Sequence, residues 1–93
     1  MVETLTDFRS RIDNLDDEIV CLLAKRFAVV RQVANVKRTK NIPAVLPDRI
    51  EYVIMRATKH AESLDLDPDF VRKLYKCIVD EACGIEEEII ASS

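Results

Sequence analysis

Residues 6–40 read TDFRSRIDNLDDEIVCLLAKRFAVVRQVANVKRTK, and the spacing of their apolar side chains decides the fold. Phe8, Ile12, Leu15, Ile19, Leu22, Arg26, Val29, Val33 and Val36 follow one another at alternating steps of four and three. Side chains so spaced share one face of an α-helix, which predicts a single long helix with a coiled-coil-like seam. Eight of the nine seam positions are apolar and the ninth is Arg26. A permanent cation in a hydrophobic seam is costly unless an anion meets it there. The question of function begins with that anion.

A helix of about 35 residues is roughly 50 Å long at ~1.5 Å per residue. A compact chain of 93 residues has a radius of gyration of only about 12 Å, so such a helix overhangs its own globule. Too few residues remain to cover its stripe, which predicts an intertwined helical homodimer with two-fold symmetry. Composition points to an all-α fold, because one glycine, three prolines and 5% aromatics leave little material for turns and strands.

The chain reads as one domain, residues 1–93, of three helices: long, short and medium. Thr4 and Asp7 have capping-box spacing, which starts the first helix near residue 5 and lets it run to about 40, with Asn41 as its stop. Pro47 and Asp48 suit the first turn of a second helix, about 47–64, whose inner stripe is Ile50, Ile54, Ala57, Ala61 and Leu64. Asp67-Pro68-Asp69 opens a third, about 68–91, with Val71, Leu74, Ile78, Ala82, Ile85 and Ile89 inward. Gly84 lies inside it at a cost of about 1 kcal/mol relative to alanine, for which a close helix or a ligand would be the reason.

The net charge of −3 conceals a basic segment: Lys25, Arg26, Arg31, Lys37, Arg38 and Lys40 fall within residues 25–40 with no acid among them. On an acidic chain this predicts a local site for a small anion rather than a nucleic-acid footprint. No apolar run approaches ~18 residues and no signal-peptide pattern is present, so a cytoplasmic protein without membrane contact is expected. Cys21, Cys77 and Cys83 lack metal-type spacing, and Cys21 and Cys77 read as small core or near-core residues in a reducing compartment. His60 falls on the outer face of the second helix, and a single glycine precludes a phosphate-cradling loop. With no nucleophile–base set, metal cluster or cofactor motif, an enzyme built on this chain would work by positioning and electrostatics.

The inward-facing cations are the candidates for that work. Lys37 comes eleven residues after Arg26, three turns and about 20° on, so both point to one side. Arg9 lies ~25 Å before Arg26 on the same helix and cannot share a small ligand with it in cis. In a dimer of antiparallel long helices it would approach the partner's Arg26 region. Arg49 opens the second helix. For Arg26 two readings stand level: a ligand for a small anion, or a structural arginine paired with a carboxylate of the third helix.

The run from Phe8 to Asp16, then Leu22-Leu23-Ala24-Lys25-Arg26, then Val33 to Lys37, resembles the first helix of the all-α chorismate mutase family. Pro43, Pro47-Asp48-Arg49 and the third helix continue the resemblance in register over nearly the whole chain. It implies an intertwined dimer, without cofactor, that rearranges chorismate to prephenate in a pericyclic step of aromatic amino acid biosynthesis. Arg26, and Arg9 of the partner subunit, would hold the two carboxylates of the substrate. Lys37 would donate to the ether oxygen as its bond to carbon breaks. A dicarboxylate is also the anion that a seam arginine needs.

Departures from the family pattern bear on the substrate. The family often has glutamine as a second donor to the ether oxygen; this chain has Glu86, which must carry a proton to donate. The plain alternative is that Glu86 belongs to a solvated Glu86-Glu87-Glu88 run. Ile50 stands where an acid commonly follows the helix-two arginine, Leu46 where an aspartate is often found, and Ala82 where a serine is. The pocket near ring carbon 4 is thereby more apolar. Pro47-Asp48-Arg49-Ile50 and Glu81-Ala82-Cys83-Gly84-Ile85-Glu86 resemble segments of 4-amino-4-deoxychorismate mutases, which serve antibiotic precursors. Ile42-Pro43-Ala44 resembles the loop of isochorismate pyruvate lyases, although theirs is a residue shorter between lysine and arginine. The expected order of substrates is chorismate, its 4-amino analogue, then isochorismate. A helical dimerisation or regulatory module is the non-enzyme alternative.

Overall fold

The computed structural model describes residues 4–92. The fold is all-α: α1 (Leu5–Lys40), α2 (Pro47–Ser63) and α3 (Pro68–Ala91). Thr4 and Asp7 close the capping box at the start of α1, with Thr4 N–H donating to Asp7 Oδ2 at 3.0 Å and Asp7 N–H donating to Thr4 Oγ1 at 3.2 Å. These bonds hold the Asp7 carboxyl below its ordinary pKa. Asn41 ends α1 in the left-handed conformation, at φ 57°, which asparagine tolerates better than most residues. At α3, Asp67 Oδ1 accepts from Asp69 N–H at 3.0 Å, and Pro68 occupies the first turn. Between α2 and α3 the turn closes through Asp65, also left-handed at φ 59°, while Leu66 N–H donates to Ala61 O at 2.9 Å.

One start lacks a side-chain cap. Leu46 holds the N-cap position of α2 and makes no capping bond. A leucine there forgoes about 1 kcal/mol against serine or aspartate. Its side chain lines a cavity instead.

The packing centre is α3. It packs against both α1 and α2, whereas among the described residues α1 and α2 do not pack on each other. Arg26 lies against Tyr75, and Lys37 against Glu86. These rungs are eleven residues apart on both helices, so α1 and α3 run side by side in the same direction. The buried face of α3 carries Val71, Val79, Ala82 and Glu86, while Leu74, expected inside, is 43% exposed. The face is turned toward the gap between α1 and α2, which brings Glu86 in and leaves Glu87 and Glu88 in solvent.

The core is thin. Ala34 is the one buried residue of α1, and the molecule measures 60 × 25 × 15 Å with a radius of gyration of 17.0 Å. A compact chain of this length would have about 12 Å. Along the seam Phe8, Ile12, Leu15 and Ile19 are 47–57% exposed, and Val29, Val33 and Val36 are 41–56% exposed. Cys21 and Cys77, expected in or near the core, are exposed as well. Among the described residues no helix is long and apolar enough to cross a membrane.

Gly84 has no close neighbour in the protomer: a Cβ added there would meet nothing within 4 Å. Gly84→Ala is therefore expected to raise the unfolding free energy by about 0.5–1 kcal/mol through helix propensity and a less flexible unfolded chain. Urea melts at one fixed protein concentration check this, and a loss of stability would mean that another helix approaches at Gly84.

Candidate active site

Because α1 and α2 both rest on α3 without meeting, a gap remains between them, and it forms a cavity of about 410 Å³. That is within the range of small-molecule sites. From α1 come Arg26, Lys37 and a wall of valines; the α1–α2 loop adds Ala44 and Leu46; α2 adds Arg49, Ile50 and Val53; α3 closes it with Val79, Ala82, Cys83 and Glu86. Seven of the residues picked out in the sequence thus meet in one cavity: Arg26, Lys37, Leu46, Arg49, Ile50, Ala82 and Glu86. Arg9 does not join them. It is exposed in the projecting first half of α1.

Lys37 is fixed from two sides. Its Nζ donates to Ala44 O at 2.9 Å, tying the end of α1 to the following loop. It also lies 2.8 Å from Glu86 Oε1, with the two side chains only 13% and 10% exposed. That contact is a charge pair at hydrogen-bond distance without hydrogen-bond alignment, since Glu86 Oε1 has no aligned donor. Taking two charges this far out of water is favourable only while both partners are present.

Arg26 is arranged differently. Its Nη1 is buried with no hydrogen-bond partner, and among the described residues no carboxylate pairs with it. Glu86, the buried carboxylate of α3, is paired with Lys37. A buried guanidinium N–H without an acceptor is expensive. The cavity wall therefore carries a cation that no carboxylate among the described residues of its own chain neutralises. Arg49 stands at the exposed rim, its guanidinium 5.3 Å from the Tyr52 ring centre.

Two lining groups are given no role by the sequence. Cys83 has no metal-type spacing to mark it, although it lies one helical turn before Glu86. Burial, first, and the nearby Glu86 carboxylate push its thiol pKa up, while Lys37 opposes them. Cys83 is thus a neutral, weakly polar wall at neutral pH. The Ala44 carbonyl is a backbone group, and no side chain reveals it. Among the described residues no three His, Cys, Asp or Glu side chains gather as metal ligands.

Comparison with known proteins gives one consistent family. The family model for chorismate mutase type II matches residues 8–87. A 4-amino-4-deoxychorismate mutase of Streptomyces pristinaespiralis is 32% identical over 90 residues, covering 97% of this chain and 70% of the relative. A chorismate mutase of Methanocaldococcus jannaschii is 26% identical over 90 residues, covering 97% of this chain and 91% of the relative. The T-protein of Enterobacter agglomerans is 32% identical over 88 residues, 95% of this chain, but the chain spans only 24% of that longer protein. With a family match that runs through all three helices and every wall of the cavity, the chain belongs to the chorismate mutase type II family, a family of isomerases.

Proposed function

We propose that the protein rearranges chorismate to prephenate, in two equivalent sites of an intertwined homodimer. The observation that carries this reading is the buried, unpartnered Nη1 of Arg26 in the same small cavity as Lys37. Arg26 takes one substrate carboxylate and Arg9 of the partner subunit the other, so that the compact diaxial conformer is held ready to react. The ether C–O bond breaks as the new C–C bond forms within the same molecule, with no covalent intermediate. Negative charge grows on the ether oxygen, and Lys37 stabilises it. Leu46, Ile50 and Ala82 wall the ring, and Arg49 stands at the mouth.

Glu86 is proposed as the second donor to the ether oxygen, which requires it to be protonated. Glu86→Gln donates through its amide without needing a proton, so it is expected to raise kcat/KM severalfold over wild type under the same conditions. An unchanged or lower kcat/KM in the glutamine variant would remove Glu86 from the mechanism.

A second reading is favoured by the apolar residues Leu46, Ile50 and Ala82 in the cavity wall and by a relative named 4-amino-4-deoxychorismate mutase. On that reading the preferred substrate carries an amino group at ring carbon 4. Purified protein incubated separately with chorismate, 4-amino-4-deoxychorismate and isochorismate decides by comparison of kcat/KM. Turnover of none of the three would overturn the proposed activity altogether.

A further inference from the structure

We propose that Tyr75 is a positioning residue, which holds the Arg26 guanidinium at the cavity wall without using its N–H donors. The inference rests on the proposed use of Arg26 as an anion clamp. Tyr75 is partly buried on α3, one residue after the exposed Leu74, and its ring centre lies 5.9 Å from the Arg26 guanidinium carbon. That is the outer end of the cation–π range, where the attraction is modest but still directional.

The choice of an aromatic neighbour has a specific chemical consequence. A carboxylate beside Arg26 would fix the side chain equally well, but it would occupy the N–H edge that an incoming anion needs. A ring engages the guanidinium through its π face and accepts no conventional hydrogen bond. It therefore restrains the cation while leaving its donors unspent. This accounts together for the two features of Arg26: a fixed neighbour on one side and a buried Nη1 with no partner.

The arrangement on the same pair of helices supports the distinction. Eleven residues along α1, Lys37 meets Glu86, a carboxylate at 2.8 Å. Eleven residues along α3 from Glu86 in the other direction stands Tyr75. One rung of this ladder is a charge pair and the other a cation over a ring. Arg49 over Tyr52 and Arg11 over Phe8, at 5.3 and 5.6 Å, lie on exposed stretches of chain. Arg26 and Arg49 both line the cavity, but only Arg26, the one beside Tyr75, is partly buried with an unpartnered N–H.

The test compares wild type with Tyr75→Leu, which keeps apolar bulk and removes the ring, and Tyr75→Phe, which keeps the ring and removes the hydroxyl. Tyr75→Leu is expected to raise KM about 3- to 20-fold with a smaller change in kcat, because a loosened Arg26 weakens binding in ground and transition state alike. Tyr75→Phe recovers KM to within about threefold of wild type. A second readout needs no turnover. The Arg26 Nε–H resonance, assigned with Arg26→Lys, is shifted by the ring current and should move in Tyr75→Leu but stay nearly in place in Tyr75→Phe. Should the leucine variant melt early, Tyr75→Met carries the same comparison. An unmoved Arg26 resonance with wild-type KM in the ringless variants overturns the proposal, as does a phenylalanine variant as impaired as the leucine one. Absence of turnover in wild type overturns the proposed activity instead, and the resonance still decides the role of Tyr75.

Discussion

Lys37→Ala is expected to lower kcat by about 10²–10³-fold, the usual result of removing a donor aimed at charge that grows in the transition state. KM should change much less, because the ether oxygen carries little charge before its bond breaks. The same substitution should also destabilise the fold by about 3–5 kcal/mol, since it strands a buried carboxylate. Glu86 is only 7% exposed, and Lys37 is its one ion-pair partner among the described residues. The two losses separate in the double variant Lys37→Ala with Glu86→Gln. Removing both charges should restore most of the stability and none of the rate. Thermal melts beside single-turnover kinetics read the two effects independently. A double variant that regains kcat would show that Lys37 served only to neutralise Glu86.

Glu86 illustrates where the sequence is informative and where it is not. The caps, the three helices and the seam are local or periodic signals, and Thr4, Asn41 and Asp67 perform the capping roles their residue types suggest. The all-α class follows from the same signals. Which side of α3 faces inward does not, because its apolar residues occupy a broad arc and admit more than one centre. Leu74 therefore reads as an inward residue and is 43% exposed, while Val79 and Glu86 are buried. The facing direction is set by contact with two other helices, and a single-helix pattern contains nothing about them. The same limit applies to Lys37. Its spacing from Arg26 puts both on one side of α1, but its bond to the Ala44 carbonyl depends on how the loop folds back. Tyr75 draws no notice in the sequence because an isolated aromatic on an amphipathic helix looks like ordinary core. Arg26 is the opposite case. A cation where the pattern demands an apolar residue is conspicuous from spacing alone, and its Nη1 is buried without a partner.

Mixing two inactive variants should restore activity, and that outcome tests the dimer and the role of Arg9 together. Within one chain Arg9 and Arg26 are ~25 Å apart along α1, too far to grip one small dicarboxylate. The first half of α1 nevertheless exposes Phe8, Ile12, Leu15 and Ile19, each about half accessible. Burial of what remains exposed would favour each by about 1 kcal/mol, a combined drive toward a second copy. If that copy lays its Arg9 over this chain's cavity, every site needs Arg9 from one subunit and Arg26 from the other. Arg9→Ala and Arg26→Ala homodimers should then each lose about 10²–10⁴-fold in kcat/KM, as expected for deleting a charge-assisted carboxylate clamp. After the two are unfolded together in equal amounts and refolded, half of the dimers should be mixed. Each mixed dimer has one site with both arginines and one with neither, so roughly a quarter of wild-type activity should return. Recovery of that size requires Arg9 to act across the interface. If the mixture stays as inactive as its components while sedimentation shows dimers, Arg9 acts within its own chain or not at all. If sedimentation shows monomers at micromolar concentration, the exposed seam is not a dimer interface and the second clamp must come from elsewhere.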